Sequence, residues 1–380
     1  MHIVFVGIAG VFKQNRALDS RLRYFAQLFT LDNKVSVINR YCSVNMLTDP
    51  LNVPNEVDYY DIIRPRKSSG FISKLLMLFS IFKEPFVLFK INKKTHVDII
   101  HIYTEHFYNL LLYRILSRLI SAKTVCQYVE YSSFFNHNNF VNRINCKFYD
   151  KFIPKLCDGI IPISVFLDNK IKEINPQAKT IKVNPLCDFK FFSSITPKQL
   201  DKPYLLYCGS VTYFDAIDLV SRAYNNSCIS KMKDIVFVLS GNKDRIKEFA
   251  DKNPNYIILS KLEYNDLIAY YKGAFALLIP LQNKITDIAR YPNKVGEYLA
   301  SNGLIITTDV GEISYLFKDG INAIVAEDFD VSQLSKKMNE LELGNYNISS
   351  IKDNAYEIGL KYFDILSYRI RMNTFLRSLL

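Results

Sequence analysis

The most informative stretch of the chain is residues 290–300, RYPNKVGEYLA, followed by the apolar run LIITT at residues 304–308. Pro292 predicts the first position of a helix, because proline has a preset φ and no N–H to leave unpaired there. Free N–H groups and the dipole at a helix start attract anions. Arg290 and Lys294 add two cations at the same place. The segment therefore predicts a site for a diphosphate.

Glu297 lies more than one turn inside this predicted helix. A carboxylate in that position cannot help a diphosphate, but it can accept two hydrogen bonds from a ribose diol. The alternative for the whole segment is an ordinary surface helix packed on a strand.

Strands alternate with helices on both sides of this segment, which predicts an α/β protein with doubly wound parallel sheets. A length of 380 residues suits two domains. The first strand–helix series begins at residues 2–6 with a helix at 14–29, and the second begins at residue 204. We predict domains at residues 1–192 and 203–360, joined by a polar linker around 193–197, and a helical segment at 361–380.

The order of residues resembles the retaining glycosyltransferases of family 4, which have the two-domain GT-B fold. The resemblance is carried by the quoted segment and by YLLYCGS at 204–210, IVFVLSGN at 235–242, LEYNDL at 262–267 and AFALLIP at 274–280. It covers residues 200–330 well and is only general over the first half. It implies two Rossmann-like domains facing across a cleft, with the nucleotide-sugar donor on the second, the acceptor on the first, and the final helix crossing back to the first.

The resemblance implies a set of donor-binding residues, namely Gly209, Ser210, Gly241, Leu262, Arg290, Asn293, Lys294 and Glu297. The chain also departs from the family pattern. Ala289 stands where many members have the first of two glutamates, and Ser210 and Phe214 lie where basic residues often serve the phosphates. A weakened or inactive donor site is therefore an open alternative.

The loop after the first strand is a candidate part of the acceptor side. Gly7 and Gly10 would let the backbone approach a ligand closely. Asn15 and Arg16, at the start of the next helix, are candidates for binding acceptor or diphosphate. A plain tight turn is the alternative.

Glu130 follows the strand predicted at residues 123–128 and matches the position where the family often has histidine. A carboxylate there could position or deprotonate the acceptor hydroxyl, or stabilise an oxocarbenium-like transition state. We predict Glu130 and Glu297 as the catalytic residues, with a charged surface loop as the alternative for Glu130.

No metal site is predicted. Asp328-Phe329-Asp330 has the D-x-D form of a metal–diphosphate signature, but Asp330 is well placed to cap a helix at residues 331–341. His101 and His106 are predicted to be loop residues rather than a metal pair. The predicted protein needs no cofactor, since the nucleotide-diphosphate sugar is its substrate.

Composition bears on partners and location. A net charge of +11 favours anionic partners, and no recognition motif points to nucleic acid. Seven scattered cysteines without a C-x-x-C pair suit a reducing cytoplasm, and no cleavable signal is predicted. Residues 71–83 are apolar but too short and too charged to span a bilayer. They predict either an interfacial helix lying on anionic lipid or a core helix.

The sequence thus predicts a retaining, metal-independent glycosyltransferase of the hexosyltransferase type. Its acceptor would be a saccharide or lipid-linked saccharide of bacterial cell-surface polysaccharide synthesis, such as capsule or O-antigen. A cytoplasmic protein is expected, with peripheral attachment to the inner face of the membrane as an option. The alternatives are a non-catalytic partner subunit of the same fold and a sugar-nucleotide epimerase or hydrolase.

Overall fold

The structure is a computed structural model that describes residues 1–9, 17–40, 56–63, 70–134 and 139–380. Three predicted acceptor residues, Gly10, Asn15 and Arg16, lie outside these ranges. The chain forms two compact units, one made of Met1–Leu186 with Ile365–Leu380 and the other of Cys187–Asp364. The units therefore divide at 186/187 and 364/365, whereas the sequence placed its segment ends at 192 and 360.

The first unit contains a six-stranded parallel sheet with the order β3-β2-β1-β4-β5-β6. Apart from the edge strand β3, its strands are short, apolar runs that are largely buried, as expected when helices cover both faces of a parallel sheet. They are His2–Ala9 (β1), Lys34–Arg40 (β2), Val57–Asp61 (β3), Ile99–Ile102 (β4), Lys123–Tyr128 (β5) and Gly159–Pro162 (β6).

The helices of the first unit connect these strands. They are Ala17–Thr30 (α1), Gly70–Lys94 (α2), Phe107–Leu119 (α3), Phe140–Leu156 (α4) and Val165–Ile174 (α5). Asn139 and Ser164 cap the starts of α4 and α5, because their side-chain oxygens accept hydrogen bonds from Val141 N and Leu167 N. The predicted start of the first helix, residue 14, lies outside the described residues.

The second unit repeats this architecture with a six-stranded parallel sheet in the order β12-β11-β10-β7-β8-β9. The strands are Tyr204–Ser210 (β7), Asp234–Ser240 (β8), Ile257–Leu259 (β9), Ala276–Ile279 (β10), Ile305–Thr308 (β11) and Ile324–Ala326 (β12). Strand β7 covers the predicted YLLYCGS segment. Numbered within each unit, both sheets have the order 3-2-1-4-5-6.

The helices of the second unit are Phe189–Ser193 (α6), Phe214–Asn225 (α7), Lys243–Lys252 (α8), Tyr264–Gly273 (α9), Ile285–Ala289 (α10), Asn293–Ala300 (α11), Glu312–Leu316 (α12), Val331–Glu342 (α13) and Ile348–Tyr362 (α14). Helix α7 is amphipathic and buries Ile217 and Val220 in the core of the unit, which also contains Leu334 and Met338 of α13. Burying one such side chain contributes about 1.5–3 kcal/mol. This core fixes the carboxyl edge of the second sheet.

The end of the chain completes the first unit. Helix α15, Arg369–Arg377, begins with Arg369, whose Nε and Nη2 donate to the two carboxylate oxygens of Asp32 at 2.8 and 2.7 Å. The Tyr368 hydroxyl accepts a hydrogen bond from Asn184 N at 3.2 Å. Gly159 of β6 has no room for a side chain, since a Cβ there would lie 2.7 Å from Leu379 Cδ1. These contacts tie the terminal segment to strands and helices formed by the first half of the chain.

Candidate functional site

Helix α11 begins at Asn293, one residue later than predicted. Pro292 is the N-cap, with φ −62° and ψ 131°, so its backbone is extended rather than helical. Its carbonyl accepts a hydrogen bond from Val295 N at 3.1 Å. Proline thus still defines the helix start, but from the capping position, where its missing N–H also has no helical role. The start of α11 lies beyond the carboxyl end of β10, where ligands bind in doubly wound sheets.

Glu297 is buried in the second unit, at 9% exposure. The Tyr264 hydroxyl donates to Glu297 Oε1 at 3.3 Å. Burial raises the pKa of Glu297, and the charge of Lys294 and the Tyr264 hydroxyl oppose this rise. Tyr271 is a second tyrosine next to Glu297. It packs edge-on against Tyr298, with ring centroids 5.0 Å apart. The carboxylate therefore keeps acceptor capacity that a diol could use.

Arg290 is less available to a ligand than predicted. Its Nη2 is 2.6 Å from Asp287 Oδ1, and its guanidinium lies 4.3 Å from the centre of the Tyr213 ring. Asp287 is held in turn by Gln282 N, which donates to its Oδ2 at 2.8 Å. The charge of Arg290 is thus partly neutralised within the unit, although its buried Nε has no hydrogen-bond partner among the described residues.

The ammonium group of Lys294 is available to a ligand. Within the described part of the chain, no salt bridge or hydrogen bond involves its ammonium group, which is close enough to Glu297 to lower the pKa of that carboxyl. Of the two cations predicted for the diphosphate, Lys294 is therefore the more accessible.

Two glycine turns lie side by side at the carboxyl ends of β7 and β8. Ser210 caps a short 3-10 turn, Val211–Tyr213, by accepting a hydrogen bond from Thr212 N at 3.2 Å. Gly241 has φ +110°, which favours glycine, and a Cβ there would lie 2.9 Å from Val211 Cγ2 and 3.3 Å from Ser210 Oγ. At Gly209 a Cβ would meet the Tyr207 hydroxyl at 2.6 Å. The predicted residues Gly209, Ser210 and Gly241 are thus neighbours.

Leu262 precedes α9 and is half-buried, after Lys261 at φ 57°. The next aromatic residue, Tyr264, stacks on Phe191 with centroids 6.5 Å apart and planes at 11°. Its hydrogen bond to Glu297 joins the LEYNDL segment at residues 262–267 to α11. Sequence reasoning did not predict the contact of Tyr264 with Glu297, because 33 positions separate the two residues and no local pattern links them.

In the first unit, Gly7 lies within β1 at a register irregularity between Phe5 and Ile8, not in a turn after the strand. It has φ +85°, and a Cβ there would lie 2.9 Å from the Tyr103 carbonyl oxygen. Glu130 is half-buried and follows β5. Burial raises the pKa of Tyr103, and the charges of Glu105 and Glu130 add to this rise. Gly7 and Glu130 are thus both close to Tyr103, at the carboxyl edge of the first sheet.

Glu84 of α2 forms a buried ion pair that the sequence did not predict. Its Oε2 lies 2.6 Å from Arg40 Nη2 and accepts a 2.7 Å hydrogen bond from the Tyr113 hydroxyl. Gly7 N donates to its Oε1 at 3.3 Å, and Arg40 Nη1 donates to Asn109 at 3.0 Å. The cluster therefore links α2 to the ends of β1 and β2.

The acidic and histidine motifs have structural roles. Asp330 accepts hydrogen bonds from Ser332 N and Gln333 N and caps α13, as predicted. His101 is not a loop residue, which corrects the prediction: it lies in β4, fully buried against Phe5 and α1. No group of three or more His, Cys, Asp or Glu among the described residues could hold a metal ion.

A cleft of about 630 Å³ opens elsewhere in the second unit. It lies beside α7, where Asp215 Oδ2 accepts hydrogen bonds from Gln282 Nε2 at 3.0 Å and Lys284 Nζ at 3.4 Å. Neither Glu297 nor Lys294 lines it. Around α11 lie a helix start, a lysine, a buried carboxylate and two glycine turns. This set of groups matches a nucleotide diphosphate better than the lining of the cleft does, so we place the candidate site at α11.

A known protein family matches part of the second unit. Residues 202–342 match the family model described as Glycosyl transferases group 1, which spans the glycine turns, α9 and α11. No curated protein sequence matches the chain.

Solved structures extend the likeness to the whole chain. The sucrose-phosphate synthase of Thermosynechococcus elongatus superimposes with a TM-score of 0.75 at 14% identity, covering 100% of this chain and 98% of that one. The fold is GT-B. Other GT-B structures include Anabaena HepE in complex with UDP-glucose (TM-score 0.70, 12% identity, 100% of both chains) and a glycosyltransferase from Rickettsia africae (TM-score 0.71, 14% identity, 100% and 98%). The two parallel sheets of this chain are thus the two Rossmann-like sheets of a GT-B protein.

Proposed function

We propose that the protein is a retaining glycosyltransferase of family 4 that binds a nucleotide-diphosphate sugar at the start of α11 and transfers the sugar to a saccharide or lipid-linked saccharide. The observation that carries the proposal is the arrangement of Lys294 with the buried Glu297, which Tyr264 holds at the carboxyl edge of the second sheet. The HepE complexes with UDP and UDP-glucose, and the pneumococcal O-GlcNAc transferase complex with UDP and GlcNAc, support a nucleotide-sugar donor.

In this proposal the donor site works by charge and hydrogen bonding. Glu297 accepts hydrogen bonds from the ribose, while Lys294, Arg290 and backbone amides near Gly209 and Asn293 stabilise the departing diphosphate. Cations and a helix dipole can carry this charge without a metal ion. The acceptor oxygen bonds to the anomeric carbon on the face from which the diphosphate leaves, the bond between that carbon and the diphosphate oxygen breaks, and this oxygen takes the acceptor proton. Attack on this face keeps the anomeric configuration, and Glu130 stabilises the developing positive charge on the sugar.

The first test is a thermal-shift screen against uridine, guanosine, cytidine and adenosine diphosphates and their sugars, with chelator present. We expect one base to raise the melting temperature through linkage. Glu297→Ala and Lys294→Met should each weaken nucleotide binding and transfer at least about tenfold, since each loses a charge-assisted interaction. Lys252→Met, on exposed α8, is the matched control. Wild-type turnover in Glu297→Ala would refute the assigned role.

A second candidate, a non-catalytic partner subunit, is favoured by Ala289 and by the Asp287–Arg290 pair. Position 289 in α10 is occupied by a buried alanine and therefore provides no carboxylate. Asp287 partly neutralises Arg290, a predicted phosphate ligand. This candidate predicts that the protein binds nucleotide but transfers sugar to no acceptor. A sugar-nucleotide epimerase would instead convert the donor alone, which product analysis without acceptor detects.

We also propose that the first unit binds anionic membrane, where a lipid-linked acceptor of cell-surface polysaccharide synthesis would be found. No helix among the described residues is long and apolar enough to cross a membrane. Helix α2 buries Glu84 and Leu88 on one side. On the other side it exposes Leu75, Phe79, Phe82 and Phe86, the last two at 72% and 74%.

Helices α3 and α4 extend this apolar surface. The crossovers β3-α2-β4, β4-α3-β5 and β5-α4-β6 all run in the same direction along the sheet, so right-handed connection places the three helices on one face. Large exposed apolar side chains on α3 and α4 are Tyr108, Leu111, Ile115, Leu119, Phe140, Val141, Ile144 and Phe148. We call this set, with the exposed side chains of α2, the apolar face.

The charge of the three helices suits anionic lipid. Their exposed cations include Lys83, Lys90, Lys93, Lys94, Arg118, Arg143, Lys147, Lys151 and Lys155. Their acidic residues are Glu84 and Asp150, and both are buried and hydrogen-bonded. A surface of apolar and cationic side chains without exposed carboxylates binds to the interface of anionic bilayers.

A further inference from the structure

Arg21 of α1 is a buried cation without an anionic partner among the described residues. It is 3% exposed, and its Nη1 and Nη2 are both shielded from solvent and have no hydrogen-bond partner in the described part of the chain. Its Nε donates to Gln127 Oε1 at 2.7 Å. Burial lowers the pKa of the guanidinium to about 10, so it remains charged at neutral pH.

The acceptors of Gln127 and His101, the polar side chains next to Arg21, are already used. Gln127 uses its oxygen for Arg21, and its Nε2 lies 3.3 Å from His101 Nε2. Because Gln127 Nε2 can only donate, His101 Nε2 accepts and Nδ1 carries the ring proton. Burial and the charge of Arg21 lower the pKa of His101 to about 3, so the ring is neutral. Neither side chain offers an acceptor to the two terminal nitrogens.

Other charges near Arg21 do not neutralise it. Among the described residues, its charge interacts with the neutral ring of His101 and with the phenols of Tyr103 and Tyr368, which are uncharged at neutral pH. Phe25 packs against the guanidinium, at 5.0 Å from its ring centre. This differs from Arg40 in the same unit, whose guanidinium reaches Glu84, Asn109 and Tyr113. An unpaired buried charge destabilises a fold by several kcal/mol, so a retained one indicates a ligand that supplies the counter-charge.

We propose that Arg21 binds an anionic group of the acceptor, a carboxylate or a phosphate, at the carboxyl edge of the first sheet. The position agrees with the usual place of ligands in doubly wound sheets, because Gln127 and Tyr103 mark the ends of β5 and β4. A guanidinium with two terminal nitrogens available matches the two oxygens of either group. The identity of the ligand as acceptor rests on the proposed glycosyl transfer, while anion binding does not.

The test compares the wild type with Arg21→Met, Arg21→Lys and two controls in phosphate, malonate and chloride at equal ionic strength. Phosphate also stabilises proteins by exclusion from their surfaces, so the difference between variants is the measurement. We expect phosphate or malonate to raise the wild-type melting temperature saturably, by about 1–3 °C above chloride. Arg21→Met should lose this rise, and Arg21→Lys should keep part of it. Arg118→Met, on the exposed side of α3, and Lys252→Met, on exposed α8, should retain it.

A second measurement separates a ligand-binding Arg21 from a structural one. In chloride, Arg21→Met should melt no lower than the wild type, because an unpaired buried charge has been removed. A lower melting temperature in chloride, or an unchanged anion response in Arg21→Met, would overturn the proposal.

The last measurement concerns the acceptor. With an acceptor that carries a phosphate or carboxylate, Arg21→Met should raise the acceptor KM about ten- to a hundredfold and leave the nucleotide-induced shift intact. If nucleotides do not raise the melting temperature of the wild type, the proposed donor site is refuted. The anion response of Arg21 is not affected by that result.

Discussion

The two units share one topology, but they differ in how completely a buried carboxylate is hydrogen-bonded. Glu84 of the first unit is fully buried and is satisfied by Arg40, Tyr113 and Gly7 N. Glu297 of the second unit is almost as buried, but within the described residues it accepts a single hydrogen bond of normal geometry, from Tyr264. A satisfied carboxylate stabilises a fold, and an incompletely satisfied one is prepared for a ligand. Burial alone therefore does not tell a structural acid from a binding one.

Removing Glu84 should have the largest effect on stability. Glu84→Ala leaves Arg40 buried without its counter-ion, so we expect the free energy of unfolding to fall by about 3–5 kcal/mol. Chemical denaturation measures this loss. The double variant Arg40→Met/Glu84→Met should recover much of it, and Glu297→Ala should lose far less. Equal losses for Glu84→Ala and Glu297→Ala would abolish the distinction between the two acids.

The two units should also differ in membrane binding, because the apolar face belongs to the first unit. Phe79→Asp/Phe82→Asp should reduce binding to anionic vesicles about a hundredfold, because two exposed aromatic rings no longer enter the lipid interface. Flotation of protein with vesicles measures the bound fraction. Leu343→Asp changes a residue that is 73% exposed in the second unit, so it is the matched control. Unchanged flotation of the double variant would remove the apolar face as the binding surface.

The pH dependence of stability should identify Glu297 as the less satisfied acid. Its pKa is raised above the ordinary 4.5, so between 4.5 and the raised value the folded protein binds more protons than the unfolded one. The free energy of unfolding therefore falls as pH rises through that window, by at most about 1.4 kcal/mol per pH unit.

Melting temperatures across this pH range test the point. Glu297→Gln should flatten the slope, whereas Glu248→Gln, at an exposed site on α8, should retain it. Nucleotide affinity should weaken as pH falls through the same window, since only the carboxylate accepts from the ribose with both oxygens. A slope that is the same in Glu297→Gln would mean that other groups cause it.

The smallest effect is expected at the α13 cap. Asp330→Ala removes hydrogen bonds of 2.9 and 3.1 Å to Ser332 N and Gln333 N and should cost about 1 kcal/mol. Asp328→Ala, the neighbouring control, should cost less than about 0.5 kcal/mol. Chelator-sensitive transfer that both variants abolish would show a metal role for the D-x-D motif instead.

Local patterns predicted much of the fold. Strand β5 has the predicted bounds, Asp330 caps α13, and the helix start at residues 292–293 was placed to within one residue. These features depend on neighbouring residues, whose propensities and caps can be read directly from the sequence.

The features that sequence reasoning missed join residues far apart in the chain. Tyr264 reaches Glu297 across 33 positions, Arg40 reaches Glu84 across 44, and Arg21 reaches Gln127 across 106. The Asp287–Arg290 pair has a short separation, but a salt bridge at this spacing is one of several options for an arginine next to a helix. Outward-facing Ile115 and Leu119 were missed because an apolar helix pattern does not state which of its sides is covered.

The chain leaves the first unit after Leu186 and returns to it at Ile365. The second unit is therefore an insertion within the first, and the ribosome must synthesise all of it before Arg369 can pair with Asp32. During translation the inserted unit can finish folding while its host still lacks α15. We expect the nascent first unit, with β6 still uncovered by Leu379, to be the part of the protein that depends most on chaperones.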